Sequence, residues 1–276
     1  MSLNSVNTNV SAMIALQSLN AINKEYAQVQ NRISTGLKIA SAKDNPAIWA
    51  IAQNMRAESK SLDAVMSSLQ RGQSIVDTAV SAGTAISDIL TQMKEKALAA
   101  TEAGLSTASK QALSDEYVAL RKQIDTIAST ATFDGVNLIS SGSAGKIRAL
   151  ANTKATATID IDHADLSTTG SVISPILANL TGGVASADID KIDAAIQGVS
   201  SALSKFGVGS KSLDRHLEMT SKLQDTFDAG VGNLVDADMA KESARLQALQ
   251  VKQQLAIMAL RIANQGPSLL LSLFRQ

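Results

Sequence analysis

Apolar residues recur at steps of three and four along most of this chain, and the steps persist longest between residues 62 and 100. There Leu62, Val65, Leu69, Gly72, Val76, Ala79, Gly83, Ile86, Leu90, Met93, Ala97 and Ala100 alternate without a break. Such a heptad seam predicts one helix, roughly 55–60 Å long at 1.5 Å per residue. Gly72 and Gly83 each cost about 1 kcal/mol of helix propensity, which predicts places where another backbone comes close. A shorter seam runs Leu19, Ile22, Tyr26, Val29 and Ile33 and stops at Ser34-Thr35-Gly36. Another follows a break at Gly104–Thr107 and runs Leu113, Tyr117, Leu120, Ile124, Ile127 and Ala131. The next runs Ile189, Ile192, Ile196, Val199, Leu203 and Phe206, with Gly207-Val208-Gly209 as its predicted break before Leu213, Leu217, Thr220 and Phe227. The last helix carries two stripes, one through Leu246 and Leu249, the other through Val251, Leu255, Met258, Ile262 and Leu269. Two stripes predict contact on more than one side.

The polar positions of the two ends differ from the rest. From Met1 to Asn23 there is no charge: Leu3, Val6, Val10 and Met13 mark one helical face, and Asn4, Asn7, Asn9, Ser11 and Gln17 lie off it. From Gln253 to Gln276 the only charges are Arg261 and Arg275. A solvated helix face carries Lys and Glu; uncharged polar faces predict termini packed by neighbouring copies of the chain. The middle, from about Phe133 to Ala187, concentrates Gly, Ser and Thr. Within it Lys146–Ala151 and Thr156–Ile161 alternate around Asn152-Thr153-Lys154, the pattern of a β-hairpin. The predicted fold is mainly α: a long antiparallel helical bundle or coiled coil from both chain ends, with a small β-hairpin region in the middle. Residues 1–44 and 231–276 form the terminal helices, 45–139 and 187–230 a helical bundle, and 140–186 the hairpin and a reduced variable region.

Composition narrows the function. Hydrophobic residues make up 45% of the chain but aromatics only 3%, with Trp49 alone of its kind, which suits helices packed at close range. A net charge of +0 leaves no basic footprint for nucleic acid. Two histidines and no cysteine exclude a thiolate nucleophile, a disulfide framework and a Cys-based zinc site. No apolar run is long enough to insert in a membrane, and no cleavable secretory signal opens the chain. Asp160, Asp162, His163 and Asp165 crowd together, but in a strand they divide between two faces, so a solvated hairpin end is expected rather than a metal site. His216 is expected on a helix surface. Asp236 and Asp238, just before the last helix, read as capping residues, and Asn45-Pro46 as an N-cap followed by a first helical residue.

Several motifs now fit one family. Arg32–Asn45 (RISTGLKIASAKDN) resembles the N-terminal signature of bacterial flagellins, and Leu234–Ser243 (LVDADMAKES) their C-terminal signature. Ala263-Asn264-Gln265 and Leu271–Arg275 are similar to the end of such chains, and Phe133–Leu138 (FDGVNL) to the turn leading into the family's hairpin. The resemblance covers roughly residues 1–162 and 187–275. It implies a structural subunit that self-assembles into the extracellular filament of the bacterial flagellum for motility, with no catalysis and no cofactor. The alternatives are a hook–filament junction protein, which Pro46 favours slightly, and a flagellin-like surface protein that binds a polysaccharide. The resemblance implies a homopolymer of flagellin subunits, type III export without a cleaved signal, and partners in the export apparatus, an export chaperone and cap or junction proteins. It also implies weak immune-receptor recognition, because Gln92 and Lys96 stand where recognised members usually carry arginine and leucine. The self-assembly residues expected on this view are Leu3, Val6, Val10, Met13, Leu19, Ile22, Val29 and Ile33 at one end, and Leu246, Leu249, Leu255, Met258, Ile262, Leu269 and Leu273 at the other.

Overall fold

A computed structural model describes residues 8–140, 145–174, 176–181 and 184–273, with side chains in the last helix described as far as residue 265. Among these residues the chain runs α1 (Val10–Thr35), α2 (Pro46–Ala100), α3 (Thr107–Thr130), β1 (Thr132–Phe133), β2 (Val136–Asn137), β3 (Ile147–Leu150), β4 (Thr158–Ile161), α4 (Ser186–Val235) and α5 (Met239–Leu273). The fold is mainly helical with two small antiparallel hairpins in the middle, β1–β2 and β3–β4. It separates into two compact units, Met1–Ala57 with Thr226–Gln276 and Glu58–Asp225.

Side chains and glycine set the helix ends. Asn9 caps α1 by accepting the Ala12 amide at 3.0 Å, and Gly36 closes it with φ +70°, a conformation that costs glycine nothing. Asn45 accepts the Ile48 amide at 3.2 Å and Pro46 opens α2. Ser106 caps α3 through the Ser109 amide at 3.1 Å.

In the larger unit the seam from Leu62 to Ala100 is buried at all twelve positions, with Ile75 and Ile89 beside it. Tyr117, Ile124 and Ala128 of α3 and Ile192, Val199, Phe206 and Leu213 of α4 belong to the same core. The seam glycines of α2 make room for side chains rather than for a backbone. A Cβ at Gly83 would stand 2.7 Å from Leu203 Cδ2, and one at Gly72 would stand 3.3 Å from Ala149 Cβ.

Three expectations are revised. The helix α4 passes through Gly207-Val208-Gly209 without a break. Phe206 and Leu213 hold it in the core on either side, and that packing outweighs a propensity cost of about 1 kcal/mol per glycine. His216 is half-buried rather than on the surface, and its Nε2 lies 2.7 Å from the Ala151 carbonyl oxygen, tying α4 to the hairpin loop. The Ser- and Thr-rich stretch after β4 is part of the core: Leu166, Ile173, Ile176 and Leu180 are buried in it. Asp125 fastens that stretch by accepting from the Thr168 amide and hydroxyl at 2.9 and 2.8 Å, and Ser114 by accepting the Leu180 amide at 3.1 Å.

Candidate functional site

Helices α1 and α5 of the smaller unit pack against each other as an antiparallel pair. Contacts step backwards along one helix as they step forwards along the other. Asn9 donates to the Ala263 carbonyl at 2.7 Å, and Gln253 donates to Asn23 Oδ1 at 2.7 Å. Arg245 lies 3.8 Å from Glu25, and Arg32 lies 3.2 Å from Glu242. The uncharged polar residues of the chain ends thus serve as links between the two helices. The charged pairs sit at the other end of the pair, beyond Lys24.

Past α1 the chain is clasped to the α4–α5 turn. The Lys38 and Ile39 amides donate to the Val235 carbonyl at 2.7 and 3.2 Å, and the Ala237 amide donates to the Gly36 carbonyl at 2.9 Å. Beneath the clasp Ile39, Ala52, Val231 and Val235 form a second buried cluster against Trp49 and Met55. Asp238 caps α5, accepting the Ala240 and Lys241 amides at 3.0 and 3.1 Å. Asp236 does not share that task; it pairs with Leu37 in a bridge between the two strands of the clasp. Asp44 accepts the Ser41 and Ala40 amides and the Ser41 hydroxyl, and the Ser41 amide above all holds its carboxyl below the ordinary value.

The structure sorts the sequence-predicted assembly residues into two groups. Val29 and Leu249 are buried, and Leu19, Ile22, Ile33 and Leu246 are half-buried. By contrast, Val10, Met13, Leu255, Met258 and Ile262 are 53% to 68% exposed. Ile14, Leu16, Val251 and Ile257 are exposed as well. Ile14, Leu16 and Ile257 were not among the apolar positions traced in the sequence; the steps of four from Val10 to Ile14 and of three from Met13 to Leu16 were the available signal, and Ile257, adjacent to Met258, had none. Leu3 and Val6 lie outside the described residues, as do the side chains of Leu269 and Leu273. One end of the pair therefore closes on itself, while the other holds an apolar surface facing outward.

Elsewhere, the acidic cluster of the hairpin is dispersed over separate partners. Asp160 accepts from Thr158 at 2.8 Å, the main cause of its lowered pKa, and lies 3.5 Å from Lys146 and 3.8 Å from Arg148. His163 Nε2 meets the Ser140 carbonyl at 2.8 Å, and Asp165 accepts from Ser167. Among the described residues no group of three potential ligands is placed to hold a metal ion, and no described helix is long and apolar enough to cross a membrane.

Comparison with known proteins identifies what carries such a surface. Residues 6–144 match the bacterial flagellin N-terminal helical region, and residues 189–274 the bacterial flagellin C-terminal helical region. The chain is 51% identical to flagellin FljK of Caulobacter vibrioides over 275 residues, covering 100% of both chains. It is 36% identical to a flagellin of Brucella melitensis over 281 residues, covering 98% of this chain and 99% of that one. A solved structure described as a flagellar hook-associated protein of Vibrio parahaemolyticus is 15% identical. It covers 70% of this chain and 100% of its own with a TM-score of 0.58, a likeness of fold alone. The chain belongs to the bacterial flagellins, the structural subunits of the flagellar filament.

Proposed function

We propose that this flagellin polymerises through its terminal helix pair. Leu19, Ile22, Val29, Ile33, Leu246 and Leu249 hold α1 against α5 within one subunit. Leu3, Val6, Val10, Met13, Leu255, Met258, Ile262, Leu269 and Leu273 meet the same helices of neighbouring subunits. The observation that carries this reading is the outward row of large apolar side chains, seven of them more than half exposed, on a segment almost without charge. Burying a side chain of that size is worth about 1.5–3 kcal/mol. Repeated along both helices, that drive outweighs the freedom lost when subunits associate.

On this reading the filament is extracellular, and the subunit reaches it through the flagellar export apparatus after handling by an export chaperone. Cap and junction proteins meet the same ends during assembly. Lys96 forms an ion pair with Glu116 at 2.5 Å, so the position that recognised flagellins fill with leucine is charged and engaged here, and immune-receptor activation is weak. Deleting residues 1–30 tests the core claim. Electron microscopy of the concentrated protein is expected to show long filaments for the intact chain and none for the truncated one. Normal filaments from the truncated chain would overturn the assignment of the terminal helices.

A further inference from the structure

Outside the terminal helices, large apolar side chains reach the surface of the larger unit at Leu98 near the end of α2 and at two places of opposite shape. The first is a convex tip. Strands β1 and β2 join through Asp134-Gly135, both with positive φ (50° and 76°), a two-residue turn of the tight hairpin kind. Phe133 and Val136 are direct cross-strand partners, so they share one face, and they are 41% and 38% exposed. The tip is firmly mounted. Asn137 donates to the Ala128 carbonyl at 2.7 Å and accepts the Ile139 amide at 2.8 Å, and Arg71 of α2 braces Asp134 at 3.3 Å.

The second place is concave. Between β4 and α4 lies a cleft of about 280 Å³, lined by Ile159, Ile161, Phe206 and Val208. Val208 is 63% exposed at its rim. Gly209 lets β4 lie close against the helix at the cleft: a Cβ there would stand 3.1 Å from Ile161 Cδ1, tighter than ordinary contact. From Val208 the exposed apolar side chains continue along the helix as Met219 and Leu223, at steps that keep them on one face.

Charge matches shape. The tip carries one anion and one cation, Asp134 and Arg71. The cleft is flanked by one cation and one anion, Lys205 and Asp162, neither of which has a hydrogen bond or ion pair among the described residues. Asp160, the other carboxylate at the cleft, already faces Lys146 and Arg148. A subunit that polymerises into an open helical array needs two different, mutually complementary surfaces on each copy.

We propose that the Phe133–Val136 tip of one subunit docks into the β4–α4 cleft of a second copy, with Asp134 toward Lys205 and Arg71 toward Asp162. The inference rests on the filament reading above and adds a contact side by side with the one made by the terminal helices.

The chain has no cysteine, so a crosslink can be placed at will. Two single variants, Val136→Cys and Val208→Cys, are mixed, co-polymerised and mildly oxidised. A disulfide needs Cα atoms within about 7 Å, so covalent dimers are expected from the mixed filaments and from neither variant alone. Mixed filaments without dimers, or dimers formed equally by one variant alone, overturn the docking while leaving the filament reading intact. Failure of the unaltered chain to form filaments in the same preparation counts against the filament reading instead. Should either cysteine block assembly, charge reversal decides. Asp134→Lys is expected to reduce polymerisation and addition of Lys205→Asp to restore it; a double variant no better than the single one overturns the contact.

Discussion

The terminal pair and the helical bundle share one spacing of apolar residues and put it to opposite uses. In the bundle, the seam of α2 ends on side chains of the same chain, and the outer faces carry ion pairs such as Lys94–Asp193 at 2.5 Å and Lys222–Glu218 at 2.6 Å. In the pair, Val29 and Leu249 are hidden, while Met13, Met258 and Ile262 point away from the subunit. The faces between them hold Asn, Ser and Gln, and two of these residues, Asn9 and Gln253, link the helices. A heptad seam therefore shows only that a face is to be covered. On the proposed filament reading, charge on the remaining faces separates a seam the chain covers alone from one that another copy covers.

The contrast breaks most directly if outward apolar positions of the pair are dispensable. A Met258→Lys, Ile262→Lys double variant is expected to lose filaments entirely, because desolvating unpaired like charges at each repeat costs several kcal/mol. The bundle should melt as before, since both residues belong to the other compact unit. Sedimentation of polymer and thermal unfolding of the monomer measure the two outcomes separately; undiminished filaments would sink the distinction drawn here. The mirror-image change is Leu90→Ala in the bundle. Leu90 is fully buried, and its truncation is expected to cost about 3 kcal/mol in urea titration. Polymerisation should survive at temperatures where the bundle remains folded.

The sequence made much of this legible, for local reasons. The α2 seam stands out because Leu, Ile and Val recur at one step over many turns, and caps such as Asn45-Pro46 and Ser106 announce themselves within four residues. What escaped is set by distance along the chain. Gly207 and Gly209 give a break signal locally, yet Phe206 and Leu213 are pinned by residues far away in sequence. Leu166, Ile173, Ile176 and Leu180 enter the core from a segment with no period to read. Among the assembly residues, the apolar stripe was visible, but its division into inward and outward members depends on where the partner helix lies, more than 200 positions away.

A third test sharpens the comparison where the pair closes on itself. The Arg32–Glu242 ion pair is largely buried, with side chains 21% and 10% exposed, and Arg32 Nε and Glu242 Oε2 have no partner among the described residues. Buried pairs are weak contributors to stability but costly to break singly. Glu242→Gln is expected to destabilise the pair by about 3 kcal/mol, and Arg32→Met with Glu242→Leu to recover most of that loss. Amide hydrogen exchange of α1 and α5 reads both. Equal losses in the single and double variants would mean that the ion pair contributes net stability rather than register.

The smallest expected effect belongs to the bundle and separates its chemistry from that of the terminal pair. Tyr117 is fully buried, its hydroxyl has no partner among the described residues, and burial raises its pKa from 10.0 to about 12. The folded state thus holds the phenolic proton more tightly than the unfolded one. Its contribution is fully present below pH 10 and is lost as pH rises through 12, growing to a loss of about 2 kcal/mol. Tyr117→Phe removes the titrating group and the unpaired hydroxyl together. At pH 7 the variant should be as stable as the parent or more so by about 1 kcal/mol. Between pH 10 and 12 it should lose less stability than the parent, with other ionisations cancelling in the comparison. Parallel pH curves for the two proteins would show that the hydroxyl finds a partner or water in the bundle, and that this core is less closed than the terminal pair's contrast requires.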